Sequence, residues 1–271
     1  MFIFAPTMNE RNDILDLLEK LPPIYLDEMA SIRLMNRMDT KFLTDIPTLK
    51  RLLEMANGSY FVQQIGDKRI SAYTTTYFDT PEGHEMFRTH HCGHAPRTKV
   101  RVRTYMDSGD VFLEVKRKNN HGKTKKKRVS VPSLDAVMKG RVEENFLREY
   151  SGYSYDDIIP ALSNRFQRIT LVNTGKTERL TIDFNLVFHN HETGREAAME
   201  NIVIIELKRD GRVVSPILPM LRLLRIKPAG FSKYCIGTAI THPDLPQNRF
   251  KKRLVKIRKV AGTYETGDNL F

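Results

Sequence analysis

Charged and apolar side chains alternate along several short segments of this chain. Residues 99–105, for example, read Lys-Val-Arg-Val-Arg-Thr-Tyr. Because neighbouring side chains of a β-strand point to opposite faces, such a segment has one charged face and one mostly apolar face. The same pattern recurs in 35–41, 111–118, 179–185 and 203–208. The alternation therefore predicts an antiparallel sheet with charge concentrated on one face.

Two arrangements could account for this charged face. For any single strand, a sheet with one solvated face and one face on the core is the more common arrangement. Across the chain, however, the polar faces hold mainly cations and carboxylates, with few Ser, Thr or Gln residues. A closed barrel whose apolar face points outward, under amphipathic helices, would gather these groups in one lumen. We therefore predict an α+β fold with a closed antiparallel β-barrel and a charged lumen.

Turn and capping residues divide the chain into further elements. An amphipathic helix is predicted for 10–21, and Asp45 is placed to cap a second helix that has Pro47 in its first turn. Further helices are predicted for 133–150, 215–226 and 231–241, and strands for 34–43, 60–65, 71–78, 97–105, 110–118, 124–131, 163–172, 178–188 and 201–209.

One main domain is expected, because no linker-like segment divides the chain. It spans 31–245, with a helical segment at 1–30 that packs on the barrel and a basic tail at 246–271. The opening MFIFAP does not resemble a secretory signal, and no apolar run approaches the roughly 20 residues that cross a bilayer. Two cysteines, Cys92 and Cys235, cannot make a disulfide framework, so we expect a cytoplasmic protein.

The formal net charge of +12 predicts an acidic partner, and the position of the charges helps to choose among acidic partners. Cations confined in a lumen repel each other unless carboxylates lie between them and a polyanion binds. Arg offers paired donors to phosphate oxygens, and Lys offers a mobile point charge. Carboxylates suit Mg²⁺ or Mn²⁺, which readily bridge phosphates. The pattern therefore predicts a site for a polyphosphate-like anion with a divalent metal.

A series of motifs along the chain resembles a known family. The series is Arg37-Met-Asp39-Thr-Lys41-Phe, Thr76-Tyr-Phe-Asp79-Thr, Lys99-Val-Arg101-Val-Arg103-Thr-Tyr, Phe112-Leu-Glu114-Val-Lys116, Lys125-Lys-Lys127-Arg, Arg179-Leu-Thr-Ile-Asp183, Ile205-Glu206-Leu-Lys208 and Phe231-Ser-Lys233-Tyr-Cys. In this order the motifs resemble the catalytic domain of the vacuolar transporter chaperone (VTC), in the triphosphate tunnel metalloenzyme superfamily. Each motif is weak alone, but together they cover roughly residues 30–240.

The resemblance implies an eight-stranded antiparallel tunnel that binds a triphosphate chain end-on. The eukaryotic member of the family is a polyphosphate polymerase that moves the γ-phosphoryl group of ATP onto a growing chain. Its cofactor here would be Mn²⁺ or Mg²⁺, and its partners would be ATP and inorganic polyphosphate or triphosphate. A polyphosphate polymerase is therefore the leading hypothesis.

The resemblance also implies roles for individual residues. The implied catalytic residues are Arg101, Arg103, Lys116 and Glu206. The implied metal ligands are Glu206 and, as helpers or as orienters of neighbouring cations, Glu114 and Asp183. The implied phosphate-binding residues are Lys41, Lys99, Arg101, Arg103, Lys116, Lys127, Arg165, Arg179, Lys208 and Lys233. Around Arg165 the family has a fuller Tyr-Arg-Arg pattern than the Ser-Asn-Arg-Phe found here.

Two other functions fit the same motifs. A hydrolase in the same tunnel would pass the phosphoryl group to water and would cleave triphosphate, polyphosphate or a nucleoside triphosphate. The motifs do not show whether the acceptor of the phosphoryl group is water or phosphate. A tunnel open at both ends would favour synthesis, and a tunnel with a closed end would favour hydrolysis. A non-catalytic polyphosphate-binding module could lose the metal ligand, whereas this chain retains Glu206.

Other features suggest weaker alternatives. The run at 90–94 (His-His-Cys-Gly-His) lacks a second paired ligand cluster for zinc, so a mobile histidine-rich loop is expected. The basic run at 123–128 has no aromatic residues to stack on bases, which disfavours nucleic acid; Lys125 and Lys127 are expected to share the inward face. Asp79 is placed to cap a short helix that follows it. The basic tail could contact long polyphosphate or an anionic membrane surface.

Overall fold

The computed structural model describes residues 8–30, 37–121, 123–211 and 213–262 of an α+β protein. Its strands are β1 (Pro23–Ile24), β2 (Arg37–Thr44), β3 (Tyr60–Gln63), β4 (Ser71–Asp79), β5 (Arg97–Tyr105), β6 (Val111–Lys118), β7 (Thr124–Ser130), β8 (Ile159–Asn173), β9 (Glu178–Asn190), β10 (Glu196–Met199) and β11 (Val203–Asp210). Its helices are α1 (Met8–Glu19), α2 (Leu26–Ala30), α3 (Ile46–Ala56), α4 (Glu85–Cys92), α5 (Leu134–Gly140), α6 (Glu144–Ser151), α7 (Ile217–Leu223), α8 (Lys233–Thr241) and α9 (Lys251–Ala261). Within these ranges, no helix is long and apolar enough to cross a membrane.

The strands form one sheet that curls into a half-barrel. Its main path runs β2-β11-β9-β8-β4-β5-β6-β7, and every neighbouring pair on it is antiparallel. β10 pairs with β9 and β3 with β8 beside this path, while β1 joins β3 in parallel. Across the described ranges, the two end strands β2 and β7 share no register. The prediction of a closed barrel is therefore wrong, because the sheet stays open between these strands.

The composition of β7 gives a physical reason for the open edge. This strand carries four consecutive cations at 125–128, and nearly all of its residues are exposed. Charged residues, lysine above all, resist the addition of another strand at a sheet edge. The alternation of charge indicates which face of most strands is polar, but it carries no information on whether the two end strands pair.

Apolar side chains from the helices and from the sheet form two large clusters. One cluster packs α1, α3 and α7 against one end of the sheet path, with Leu18, Leu49 and Ile182 fully buried. The other packs α4, α5, α6, α8 and α9 against β4, β5 and β6 and against parts of other strands, and Phe87 and Leu113 are fully buried there. The helices therefore flank the sheet and hold its curvature.

Local sequence signals account for some helix boundaries and miss others. Asp45 caps α3 by accepting a hydrogen bond from Thr48 N at 2.8 Å, and a proline lies in the first turn, which confirms the prediction. The predicted helix at 133–150 is instead two helices. Arg141 and Glu143 adopt positive φ angles between α5 and α6 and interrupt the helix there.

The histidine-rich run, which the sequence predicted to be a mobile loop, is largely helical, and part of the basic tail is helical as well. The histidine-rich run lies largely in α4, where His91 is buried and accepts a hydrogen bond from Arg249 N at 3.3 Å. The prediction of a mobile loop is therefore wrong. Asp79 accepts hydrogen bonds from two backbone N–H groups of α4, which confirms its capping role. Residues Lys251–Ala261 of the basic tail form α9, with Leu254 and Ile257 buried.

Helix α8 lies directly on the sheet through a glycine. An ideal Cβ built on Gly237 would lie 2.5 Å from Phe188 Cδ1 and 2.7 Å from Leu162 Cδ2. Real Cβ atoms do not approach other atoms so closely, so the missing side chain is what lets α8 reach β8 and β9. This contact fixes the helix whose first residue is Lys233.

Gly237→Ala should lower the free energy of unfolding by about 1–3 kcal/mol. Overpacking against Phe188 and Leu162 outweighs the gain in helix propensity, which is about 1 kcal/mol. Denaturant unfolding measures the difference. Gly140→Ala at the end of α5 is the matched control, since its new Cβ would meet Val142 Cγ2 at 3.6 Å, an ordinary contact. Equal stability of both variants would contradict the tight packing of α8.

Candidate functional site

The pairing of the strands places many charged side chains on one face of the sheet. Residues paired directly across antiparallel strands point to the same side. The register pairs Lys41 with Glu206, Arg168 with Asp183, Arg101 with Glu114, Lys99 with Lys116, and Lys116 with Lys126. With Lys233 from α8, these side chains and their same-face neighbours form the charged cluster, which we define as Lys41, Lys99, Arg101, Arg103, Glu114, Lys116, Lys126, Arg168, Asp183, Glu206, Lys208 and Lys233.

Asp183 lies at the centre of a buried group of three ions. Arg168 donates to it from Nε at 2.5 Å and from Nη2 at 2.8 Å, and Lys233 Nζ donates to Oδ2. Burial alone would raise the pKa of Asp183, but the two cations outweigh burial and hold the pKa well below its usual value. Burial also lowers the pKa of Lys233 to about 7, although Asp183 opposes this shift. One carboxylate therefore fixes two cations.

Glu114 holds a second group of cations. Its Oε2 accepts a hydrogen bond from Arg101 Nε at 2.6 Å, and its Oε1 lies 2.5 Å from Lys126 Nζ. Burial opposes ionisation, but Arg101, Arg103 and Lys126 lower the pKa of Glu114 to about 2. Arg103 donates to Thr75 Oγ1 at 3.2 Å and is only 7% exposed. Arg101 and Arg103 are therefore held in fixed positions on the charged face.

Glu206 is held more loosely than the other two carboxylates of the cluster. The ammonium groups of Lys208 and Lys41 lie 3.6 Å and 4.0 Å from its oxygens, so neither donates a hydrogen bond. Burial would raise the pKa of Glu206, but Lys41 and Lys208 outweigh burial and lower it, so the carboxylate is ionised at neutral pH. An ionised carboxylate that its neighbours do not tightly engage fits the ligand chemistry of Mg²⁺ or Mn²⁺.

Cations from distant strands of the sheet path lie near each other across the half-barrel. The pKa values of Lys99 on β5 and Lys116 on β6 are lowered mainly by burial, and Lys41 on β2 contributes to both shifts. The segment before α8 links these strands, because Lys99 Nζ donates to Ser232 Oγ at 3.0 Å and Lys41 Nζ donates to Phe231 O at 3.1 Å. The curvature of the sheet thus brings β2 close to β5 and β6.

Two cavities continue this concentration of cations toward α9. The smaller, of about 260 Å³, is lined by His90, Arg97, Lys99, Lys116, Lys118 and Thr124. The larger, of about 600 Å³, shares His90, Arg97 and Lys99 with the first and extends to Lys252 and Arg253. Burial, and then Lys99, lower the pKa of His90 to about 3, so this ring stays neutral. The cavities are therefore basic because of their lysines and arginines.

Most of the predicted site residues lie on the charged face. The structure brings together Lys41, Lys99, Arg101, Arg103, Glu114, Lys116, Asp183, Glu206, Lys208 and Lys233. Arg179 pairs directly with Lys208 in the register, so it lies on the same face. Two predicted residues, Lys127 and Arg165, lie elsewhere, and two members of the cluster, Lys126 and Arg168, were not predicted.

The placement of Lys127 on the charged face is wrong. Lys127 pairs with Val115, and its Nζ lies 5.4 Å from the ring centre of Tyr150 in α6, on the opposite face. Lys126 occupies the charged face instead. A run of consecutive cations has no apolar residue that marks its two faces. Val129 follows the run and, because the period is two, lies on the same face as Lys127, so it was the one indication in the sequence that Lys127 lies on the apolar face.

The placement of Arg165 at the site is wrong for a related reason. Arg103 pairs with Thr75. Arg165 pairs with Thr74, the adjacent residue, so it points to the opposite face and is exposed. Arg168 takes the expected position, and the alternating Arg-Ile-Thr-Leu that begins with it was the signal that could have identified it.

Comparison with known proteins gives similar solved structures and a family. No curated protein matches the chain in sequence. A candidate adenylate cyclase from Bacillus halodurans aligns at 14% identity over 73% of this chain and 96% of its own length, with a TM-score of 0.48. A candidate adenylyl cyclase from Hippeastrum, described as having a dominant triphosphatase activity, aligns at 14% identity over 75% of this chain and 95% of its own, with a TM-score of 0.47.

The family model that matches is the VTC domain, over residues 36–242. The matched region begins just before β2 and ends just after α8, so it contains every residue of the charged cluster. This chain belongs to the VTC domain family.

Proposed function

We propose that the protein is a metal-dependent polyphosphate polymerase, which transfers the γ-phosphoryl group of ATP to phosphate or to the end of a polyphosphate chain. The observation that carries the proposal is the convergence of cations from four or more strands and from α8 on one face, around ionised carboxylates. So many cations at one place need a polyanion to balance them. The function that the VTC resemblance implies agrees with this chemistry.

In this proposal, Arg101, Arg103 and Lys116 bind and orient the phosphate oxygens around the group that is transferred. Phosphoryl transfer depends mainly on positioning and on neutralisation of charge, and needs little covalent chemistry from the protein. Glu114 and Thr75 hold the two arginines in place before the substrate binds, which is the condition for effective electrostatic stabilisation. The remaining phosphate contacts come from Lys41, Lys99, Lys126, Arg168, Arg179, Lys208 and Lys233.

Glu206 is the residue that we assign to the divalent metal. Asp183 and Glu114 already accept short hydrogen bonds from cations, so they orient those cations, while Glu206 oxygens lie beyond hydrogen-bond distance of Lys41 and Lys208. When bound, Mg²⁺ or Mn²⁺ supplies charge neutralisation at the phosphate oxygens. The attacking oxygen belongs to the acceptor phosphate, which the cations of the charged face hold in line with the transferred group.

The extent of the basic cavities favours a long anion over a compact one. The cations around Arg101, Lys116 and Lys233 would be enough to neutralise the charge of a triphosphate. The cavities add Arg97 and Lys118 at the end of this group and reach the cations of α9. This continuation supports a polymer as ligand, and therefore synthesis rather than hydrolysis of a short substrate.

The test is to incubate the purified protein with ATP labelled at the γ-phosphate and Mn²⁺ and to separate the products on a gel. A ladder of polyphosphate is the expected result. Labelled free phosphate without a ladder would show a hydrolase, and unchanged ATP together with tight polyphosphate binding would show a binding module. Either of these outcomes would overturn the proposal.

Lys126→Ala should weaken polyphosphate binding by about fivefold or more, whereas Lys127→Ala should change it less than about twofold. The first change removes a cation from the charged face and leaves Glu114 paired with Arg101 alone. The second removes a cation from the opposite face. Titration calorimetry at one fixed salt concentration measures both affinities. Equal losses in the two variants would contradict the register of β7.

The affinity for tripolyphosphate should fall as the pH rises from about 7 to 9, because Lys233 loses its proton over this range. Burial lowers the pKa of Lys233 to about 7 in the free protein, and a bound polyanion favours the protonated form, so binding takes up a proton above that pH. Lys233→Arg keeps its charge throughout and should show a weaker pH dependence. If the affinity of both proteins depends on pH to the same extent, Lys233 does not bind the anion.

A further inference from the structure

Three side chains outside the charged cluster converge from separate parts of the chain. His84 lies just before α4, Glu192 in the turn between β9 and β10, and His242 just after α8. One ligand atom from each residue lies within 4.8 Å of those of the other two. Glu192 Oε2 is 3.3 Å from His84 Nε2 and 3.5 Å from His242 Nε2. Two imidazoles and a carboxylate therefore face one point.

The burial of His242 indicates that a ligand belongs at this point. Its side chain is only 8% exposed, yet neither ring nitrogen has a hydrogen-bond partner in the described part of the chain. A buried polar group without a partner is unfavourable, and native proteins nearly always satisfy such groups. His84 is also buried, and Glu192 keeps about half of its side chain exposed. The group thus has a buried side and a side open to solvent.

The distances match a tetrahedral metal centre. Zinc binds imidazole nitrogen and carboxylate oxygen at about 2.0–2.2 Å, which places neighbouring ligand atoms about 3.3–3.5 Å apart in a tetrahedron. The two separations from Glu192 Oε2 fall in this range. Two histidines and one carboxylate are also a ligand set that zinc uses with a fourth, open position. The exposed side of Glu192 leaves that position accessible to water.

The turn that carries Glu192 is already fixed in place. Asn190 Oδ1 accepts hydrogen bonds from Glu192 N and Thr193 N, both at 3.0 Å. Thr193 Oγ1 donates to Thr241 O at 2.8 Å, which ties the turn to the last residue of α8, next to His242. Ligands held by such supporting hydrogen bonds bind a metal without large rearrangement.

We propose that His84, Glu192 and His242 form a Zn²⁺ site that is separate from the oxygen-ligand site at Glu206. The two sites differ in chemistry, because imidazole nitrogen selects zinc over Mg²⁺ or Mn²⁺. They lie toward opposite ends of α8, whose nine residues span about 13 Å between Lys233 and His242. The zinc ion clamps the C-terminal end of α8 to α4 and to the β9–β10 turn, and so steadies the helix that carries Lys233.

The test uses the full chain freed of metal with a chelator. Titration with Zn²⁺ should show one site, and Co²⁺ as a spectroscopic probe should give the intense visible absorption of tetrahedral coordination, displaced by Zn²⁺. Saturating Zn²⁺ should raise the melting temperature by about 5 °C. Glu192→Gln, at an exposed position that should not affect folding, and His242→Ala should each weaken binding at least about tenfold.

Two controls separate this site from the proposed catalytic metal. His94→Ala removes an exposed histidine outside the group and should bind Zn²⁺ as the wild type does. Glu206→Gln should also retain Zn²⁺ binding, whatever its effect on turnover. Failure of the wild type to bind Zn²⁺, or unchanged binding in Glu192→Gln, would overturn the zinc site. The three residues would then form only histidine–carboxylate ion pairs. Neither outcome would affect the interpretation of the polymerase assay.

Discussion

Glu206→Gln is expected to lower the turnover of ATP by at least about 100-fold while leaving the fold intact. The amide keeps the size of the side chain but removes the negative charge that we assign to the divalent metal. Loss of several kcal/mol of charge stabilisation in the transition state corresponds to such a factor. The fold should survive, because Lys41 and Lys208 lie 4.0 Å and 3.6 Å away and form no hydrogen bond that the change would break.

Initial rates of product formation across a range of Mn²⁺ concentrations measure this effect, and thermal unfolding checks the fold. Glu196→Gln on β10 is the matched control, since this exposed glutamate lies outside the charged cluster and should leave turnover unchanged. Partial recovery at high Mn²⁺ would agree with weakened metal binding. Full activity of Glu206→Gln at ordinary Mn²⁺ would exclude this carboxylate from the mechanism.

The alternation of charge predicted the fold class and most strand positions, because a period of two depends only on backbone geometry. The segment 97–105 is a strand over the predicted residues, Arg97–Tyr105. Closure depends instead on whether the two end strands meet, which is a property of the assembled sheet. The lysines of β7 oppose that pairing, and no local pattern in the sequence reports the balance.

The candidate site was predictable where strands alternate cleanly and not where they do not. Lys99, Arg101 and Arg103 alternate with Val100 and Val102, which mark the other face, and all three lie on the charged face. Lys126 stands in an unbroken run of cations. A shift of register between Arg165 and Gln167 interrupts any count of alternate residues from Arg165 to Arg168, so only the alternation that begins at Arg168 itself could have identified this residue.

The group formed by His84, Glu192 and His242 could not be predicted from spacing. Metal motifs that can be recognised in sequence place their ligands on one turn, hairpin or helix. These three ligands come from three loops that meet only because α4, α8 and the β9–β10 turn pack at the same end of the sheet. The segment whose composition suggests zinc is the histidine-rich run at 90–94, yet this run lies largely within α4.

Asp183→Asn should destabilise the protein by about 3–5 kcal/mol, because it leaves two buried cations without their shared carboxylate. Arg168 and Lys233 are only 16% and 11% exposed, so water cannot replace the lost charge. The melting temperature should fall by about 10 °C for a chain of this size. Asp156→Asn is the matched control, since Asp156 pairs with Arg141 in an exposed position and its loss should change the melting temperature little.

The same variant connects stability to anion binding. If Arg168 and Lys233 bind phosphate, tripolyphosphate should take the place of the missing carboxylate and raise the melting temperature of Asp183→Asn more than that of the wild type. The cations hold the pKa of Asp183 well below its usual value, so its contribution to stability is complete above about pH 4 and is lost only as the pH falls further. The difference in stability between the wild type and Asp183→Asn should therefore persist at pH 7 and become smaller below pH 4. An equal response of both proteins to tripolyphosphate would place the anion elsewhere on the charged face, because cations that lack a carboxylate partner are the strongest local attraction for phosphate.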